Sequence, residues 1–241
     1  MARRAWSITP PSPVDYDSAN AAMHDLAARR LDDAIPDAVV MLEHPPVFTA
    51  GRRARPDELL WSGSDVEARG GLVRRIDRGG AYTFHGPGQL VGYPILHLGP
   101  APDAVGYLRR LEEVVIGAAA EVGVPLHRRD DVQTGVWHGN DKVCAIGVRL
   151  QRARVTLHGF ALNCTTDLSW YEGIVACGLP GHGVTSLSAI VGQPITVDRM
   201  RPIVQARLAS VFDLMLEPAP EAEQAAFGTA AATATAARAS V

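Results

Sequence analysis

The sequence predicts an α+β fold, with mixed, mainly antiparallel sheets flanked by helices, and three observations carry that reading. Three long stretches repeat apolar residues at helical spacing. Between them lie short apolar runs of strand length, closed off by glycine and proline. The pair Gly139-Asn140 separates two such runs, the composition of a tight hairpin between antiparallel strands. The order helix, strands, helix, strands, helix lacks the strict alternation of a parallel doubly wound sheet.

Residues 1–13 are polar, contain Pro10, Pro11 and Pro13, and are read as a flexible arm. Residues 14–216 are expected to form one domain. In it, Ala19, Ala22, Met23, Leu26, Ala27 and Arg30 give a helix over 14–31, with Asp15 or Asp17 as its N-cap. The apolar run 38–43 stops at His44-Pro45-Pro46 and suits a buried strand, and 47–52 resumes an extended run. The charged stretch 53–71 is expected to be surface loop. Residues 72–77 and 89–98 are read as strands on either side of a glycine-rich loop.

The clearest helix is 103–122, with Leu108, Leu111, Val114, Val115, Ala118, Ala119 and Val122 inward and Glu112 and Glu113 on its outer side. The hairpin arms 133–138 and 142–150 and a strand at 154–163 follow. An irregular segment at 164–183 leads to a short helix at 184–191 and a longer one at 197–216. The remainder, 217–241, is rich in Ala, Thr and Pro and is read as a disordered tail.

At 241 residues the chain can bury a substantial core. A formal charge of −3 gives no general attraction to nucleic acid and no strong field toward an anionic membrane. No apolar run approaches a membrane span, and Arg3-Arg4 is not followed by the apolar region of a secretory signal. Neither nucleic acid nor membrane is therefore expected as a partner, and the expected location is the cytoplasm. Cys144, Cys164 and Cys177 have no C-x-x-C spacing, so they are read as reduced thiols, and no metal site is expected.

Candidate chemistry concentrates around RGGAYTFHGPGQL at residues 78–90. Its glycines permit close backbone approach by a ligand, and the stretch suits either a binding wall or a plain hairpin turn. Cys177, ahead of Gly178 in a turn-rich segment, is either a reachable thiolate or a small buried thiol. A free thiol ionises near about 8.5, so a reactive one needs a cationic or basic neighbour. Lys142 follows the hairpin turn and precedes an apolar run. Its amine is either desolvated against the core or snorkelled into water. His85 and His158 each precede glycine and suit a general base or a hydrogen-bonded pocket wall. Cys144 is read as core, and Cys164 closes a strand.

The string RGGAYTFHGPGQLVGYPIL resembles the signature loop of the lipoyl(octanoyl) transferases, a family of the biotin/lipoate protein ligase fold. Further segments resemble that family in order and spacing: LEHP at 42–45, TAGR at 49–52, Lys142 with AIGVR at 145–149, LHGFALN at 157–163, ACG at 176–178 and VTSL at 184–187. The resemblance covers residues 14–215 and puts the family's catalytic pair on Cys177 and Lys142. It implies substrate-binding roles for Arg78, Gly79, Gly80, Ala81, Tyr82, Thr83, Phe84, His85, Ala145, Ile146, Gly147, His158, Gly159 and Phe160. The implied activity moves an octanoyl group from octanoyl-acyl carrier protein to a lysine of a lipoyl domain, through a thioester on Cys177 and without a cofactor. The implied acceptors are the lipoyl domains of 2-oxoacid dehydrogenase complexes and the glycine cleavage H protein. The prolines of the first 13 residues depart from the family, where a short strand is usual. The alternatives are an ATP-dependent lipoate or biotin ligase and a non-catalytic module that holds a lipoyl domain or acyl group. No Walker-type motif is present.

Overall fold

A computed structural model describes residues 2–129, 134–176 and 181–228. Its strands are β1 (Arg3–Ile8), β2 (Asp37–Leu42), β3 (Val47–Ala50), β4 (Leu72–Arg75), β5 (Tyr82–His85), β6 (Gln89–Ile95), β7 (Gly135–His138), β8 (Asp141–Gln151), β9 (Val155–Asn163), β10 (Gly183–Val184) and β11 (Leu214–Pro218). The helices are α1 (Tyr16–Leu31), α2 (Gly63–Ala68), α3 (Ala104–Glu121), α4 (Leu187–Val191), α5 (Val197–Phe212) and α6 (Glu221–Ala225). Among the described residues the strands form two sheets. The larger runs β10-β8-β9-β6-β2-β1-β11, with β7 paired to β8, and the smaller runs β4-β3-β5. The neighbours β8–β9, β9–β6, β6–β2, β7–β8 and β3–β5 are antiparallel, while β1 runs parallel to β2 and β11.

The large sheet is buried on both faces, which explains why β2 is apolar throughout rather than alternating. Val39 and Met41 of β2 join the core under α3 and α5. Ala38, Val40 and Leu42 of the same strand join the core under α1. The small sheet closes a third core of aromatic rings, in which Phe84 stacks on Trp170 at 5.1 Å and 10°.

Local signals set several helix ends. Asp15 caps α1 by accepting the Ser18 N–H at 2.9 Å, and Asp103 caps α3 by accepting the Gly106 N–H at 2.8 Å. Helix α5 stops at Phe212 because Asp213 turns left-handed, with φ of 51°. No helix among the described residues is long and apolar enough to cross a membrane.

Five expectations change. Residues 3–8 of the supposed flexible arm are strand β1, held between β2 and β11. The expected final helix gives way at residue 214 to β11, and Arg4 reaches across the β1–β11 pair to Glu217 at 2.7 Å. Each strand is too short to announce itself, and each is fixed by partners distant in the chain, β11 by β1 and β1 by both β11 and β2. The supposed tail continues as α6 and buries Phe227, which is 1% exposed, in the core under α1. Residues 229–241 lie outside the described residues. Within the supposed loop 53–71, Ser62 and Asp65 cap α2 reciprocally. Glu112 is fully buried on the inner side of α3, where its carboxylate accepts from Arg109 at 2.9 Å and from the Gly135 N–H at 3.2 Å. A buried carboxylate needs such partners, and helical periodicity does not reveal them.

At the sheet centre, β6 and β9 approach closely. A Cβ on Gly159 would lie 2.1 Å from the Gly92 carbonyl oxygen and 2.7 Å from the Pro94 ring. Gly159→Ala is expected to destabilise the fold by about 2 kcal/mol, lowering the melting temperature by about 4–8 °C. Gly63→Ala, where a Cβ meets nothing within 4 Å, should leave it within about 0.5 kcal/mol of the parent. Calorimetry of the two variants checks both.

Candidate active site

The strands β5, β8 and β9, with the glycine-rich segment ahead of β5, enclose a cavity of about 370 Å³. Its walls include Arg78, Gly79, Gly80, Ala81, Tyr82, Thr83, His85, Lys142, Ala145, Ile146, Gly147, His158, Gly159 and Phe160. These are the residues singled out from the sequence, with two exceptions. Phe84 is not part of the wall: its ring packs in the aromatic core, stacked on Trp170. Cys177 lies outside the described residues.

Eight further wall residues escaped the sequence: Tyr16, Arg53, Ile76, Tyr93, Leu108, Thr134, Val148 and Ala161. Tyr16 and Leu108 reach the cavity from helices distant in the chain, so nothing near them in the sequence marks them. Val148 and Ala161 were legible in principle, since they continue strands whose other residues were already identified.

The glycine-rich segment is fixed by its own backbone. Gly51, Arg52 and Arg53 donate their N–H groups to the carbonyls of Ala81, Arg78 and Gly80 at 2.9–3.2 Å. Only glycine fits at position 51, where a Cβ would meet the Gly80 oxygen at 2.4 Å. The Arg78 guanidinium donates to the carbonyl oxygens of Gly79, Thr49 and Ala81 at 2.5, 3.2 and 3.0 Å. Arg78 thus forms part of the wall and also stitches it together.

Lys142 is the second residue of β8 and is 5% exposed, so it does not snorkel into water. Its Nζ is buried with no hydrogen-bond partner among the described residues. Its neighbour across the sheet is Val184 of β10, and the Thr185 N–H donates to the Lys142 carbonyl at 3.0 Å. Val184 lies seven residues beyond Cys177. The other cysteines are unsuited to nucleophilic work: burial pushes the Cys144 thiol well above its ordinary value and Cys164 up to about 12.

Three histidines line or underlie the cavity. His44 donates from Nδ1 to the Val14 carbonyl at 2.8 Å and accepts at Nε2 from the Tyr93 hydroxyl at 2.7 Å. His85 donates from Nδ1 to Gln89 Oε1 at 2.8 Å and accepts at Nε2 from Thr49 at 3.4 Å. Burial lowers His44 to about 4 and His85 to about 3, so both are neutral walls at pH 7. His158 has a left-handed φ of 59° and donates from Nε2 to Asp77 at 2.7 Å. Burial and the nearby Arg78 push it down, while the contact with Asp77 favours its charged form. Asp77 also receives His24 at 3.1 Å and Arg149, and so gathers α1, β8 and β9 beneath the cavity.

The lowered His44 and His85 values fix a sign for stability. Below about 6.5 the unfolded chain takes up protons that the native state refuses, so stability falls as pH drops toward about 4. Urea unfolding at pH 7 and pH 5 should differ by about 2–4 kcal/mol, and His85→Gln should remove roughly half of that difference. An equal pH dependence in the variant would contradict this origin.

Residues 15–209 match the lipoyl protein ligase A/B catalytic domain. The chain is 48% identical over 200 residues to an octanoyltransferase of Acidothermus cellulolyticus, covering 81% of this chain and 86% of that one. It is 44% identical over 206 residues to the octanoyltransferase of Mycolicibacterium smegmatis, covering 83% and 86%. In structure it resembles a lipoate-protein ligase A bound with ATP, at a TM-score of 0.73 and 15% identity over 95% of this chain and 93% of that one. It also resembles a bi-partite lipoate protein ligase from Thermoplasma acidophilum, at 0.65 and 14% over 95% and 91%. The solved structures establish the shared fold, and the sequence relatives establish the family. The chain belongs to the octanoyltransferases, within the biotin/lipoate protein ligase fold.

Proposed function

We infer that this octanoyltransferase takes its acyl group from octanoyl-acyl carrier protein and delivers it to a lysine of a lipoyl domain. The acceptors in this reading are the lipoyl domains of 2-oxoacid dehydrogenase complexes and the glycine cleavage H protein. Cys177 is the nucleophile and Lys142 the proton carrier. The observation that supports the reading best is the buried Lys142 amine, unpartnered among the described residues, on the wall of a largely apolar cavity.

In the first step the Cys177 thiolate attacks the carbonyl carbon of the donor thioester. A bond from Cys177 sulfur to the acyl carbon forms, the bond to the carrier sulfur breaks, and the carrier leaves as a thiol with a proton from the Lys142 ammonium, which is left as the neutral amine. One thioester replaces another, so the step needs no nucleotide. In the second step the acceptor amine attacks the acyl-enzyme, an amide forms, and Cys177 leaves as thiolate. The amine sheds its excess proton to Lys142.

The chain's own residues do the rest. Ile76, Ile146, Val148 and Phe160 give the acyl chain an apolar wall. The N–H groups of Gly79 and His158 are already committed, to the Val148 carbonyl at 3.3 Å and to Met23 sulfur at 3.2 Å. Oxyanion donors are therefore to be sought at other amides of the cavity wall.

The test is intact-protein mass after incubation with octanoyl-acyl carrier protein. The wild type should gain one octanoyl group, Cys177→Ser none, and Lys142→Ala should acquire it about 10²–10⁴-fold more slowly. An unlabelled wild type would remove the reading, and transfer of free octanoate only with ATP would replace it with a ligase.

A further inference from the structure

Three buried polar atoms lack a hydrogen-bond partner among the described residues and sit around one ring: Lys142 Nζ, Trp137 Nε1 and His182 Nδ1. Trp137 and Lys142 are opposite each other at the base of the Gly139-Asn140 hairpin, just after a register shift between Val136 and Trp137. Lys142 Nζ lies 4.7 Å from the centroid of the Trp137 ring. The His182 ring meets the same indole at 5.5 Å and 65°. Trp137 is fully buried and Lys142 nearly so, which shields the ring and the amine from bulk water.

An ammonium removed from water without a hydrogen bond or counter-ion is costly, and an aromatic face is an uncharged surface that attracts it. We propose that Trp137 is a positioning residue for Lys142: its indole face holds the protonated amine at the cavity wall, in the place where a buried lysine usually has a carboxylate. The proposal deepens the proton-carrier reading of Lys142 and rests on it. A carboxylate would compete with the Cys177 thiolate for the cation. A ring face neither gives nor takes a proton, so it leaves that partnership open.

The surroundings support the arrangement. A Cβ on Gly135 would lie 3.2 Å from Lys142 Cε, so the bare position lets the lysine stem run toward the ring. Other charged or titratable groups among the described residues also lie nearby, His127 among them, whose backbone pairs with that of Trp137. Arg129 approaches the same ring at 5.4 Å, and Cys144 is a buried thiol whose ionisation is pushed up by burial. Glu112 is occupied by Arg109 and the Gly135 N–H. Neither these nor His182 gives Lys142 Nζ a hydrogen bond.

The experiment titrates the Lys142 ε-carbon by NMR in the full chain labelled with ¹³C-lysine, the resonance being assigned with Lys142→Arg. Trp137→Leu keeps the site apolar but removes the ring, and Trp137→Phe keeps a weaker ring. The Lys142 titration midpoint should fall by about one pH unit in the leucine variant, a tenfold change in its ionisation constant, and by less in the same direction with phenylalanine. Octanoyl loading from the carrier should slow in the same order. A midpoint equal to the wild type in a variant with an unchanged fold overturns the proposal. Should the leucine variant fail to fold, the phenylalanine variant is judged by the same criterion. Because the titration observes Lys142 alone, it is decisive whether or not Cys177 becomes acylated, so the two readings fail separately.

Discussion

The pairing of β8 with β9 sets what the cavity can contain. In that ladder Gly147 lies opposite Gly159, and Ala145 opposite Ala161. The two glycines leave room for groups from elsewhere: a Cβ on Gly147 would strike the Arg78 stem at 2.9 Å, and one on Gly159 the β6 backbone. A slip of one residue would send alternate side chains to the opposite face and lose the cavity at once. The site is therefore a gap in side-chain packing at the middle of a sheet, and the strand register is what holds it open.

A gap of that kind would collapse unless its rim were stiff. The Arg78 guanidinium fastens three carbonyls of the surrounding backbone, and Asp77 beside it gathers His24, His158 and Arg149. Charge-assisted hydrogen bonds of this sort contribute about 1.5–3 kcal/mol each when desolvated, and less at a half-exposed group such as Asp77. The glycines of 78–88 serve close approach of backbone to backbone as well as of a ligand. Gly51 lets two backbone segments lie carbonyl against Cα with no side chain between them.

How much of this the sequence carries depends on how local each cause is. The apolar run of β2, the hairpin at Gly139-Asn140 and the helix over 104–121 follow from neighbouring residues, and they were legible. Most of the cavity wall was legible too, through motifs that recur in order along the chain. Strand β1 and strand β11 were not, because LMLEP pairs with RRAWSI across some 210 residues of sequence, and RRAWSI pairs in addition only with β2, beyond helix α1. Glu112 was misplaced for a similar reason: its partner, the Gly135 N–H, comes from a strand whose position no helical pattern discloses. Phe84 lies outside the cavity wall because its ring is taken up in the aromatic core, stacked on Trp170, a partner 86 residues away in the chain.

The polar groups around the cavity also divide by what burial does to them. His44 and His85 are pushed to values at which they stay neutral, and Tyr16 and Tyr93 are pushed up so that their hydroxyls keep their protons. Arg78 is cationic at any working pH. These groups can shape and polarise the space, but none of them readily exchanges a proton near neutrality. Thioester exchange followed by amine attack requires one group that does, placed where water cannot hydrolyse the intermediate. The proposed function gives that role to Lys142, whose amine is buried, has no hydrogen-bonded partner among the described residues, and lies beside an aromatic face.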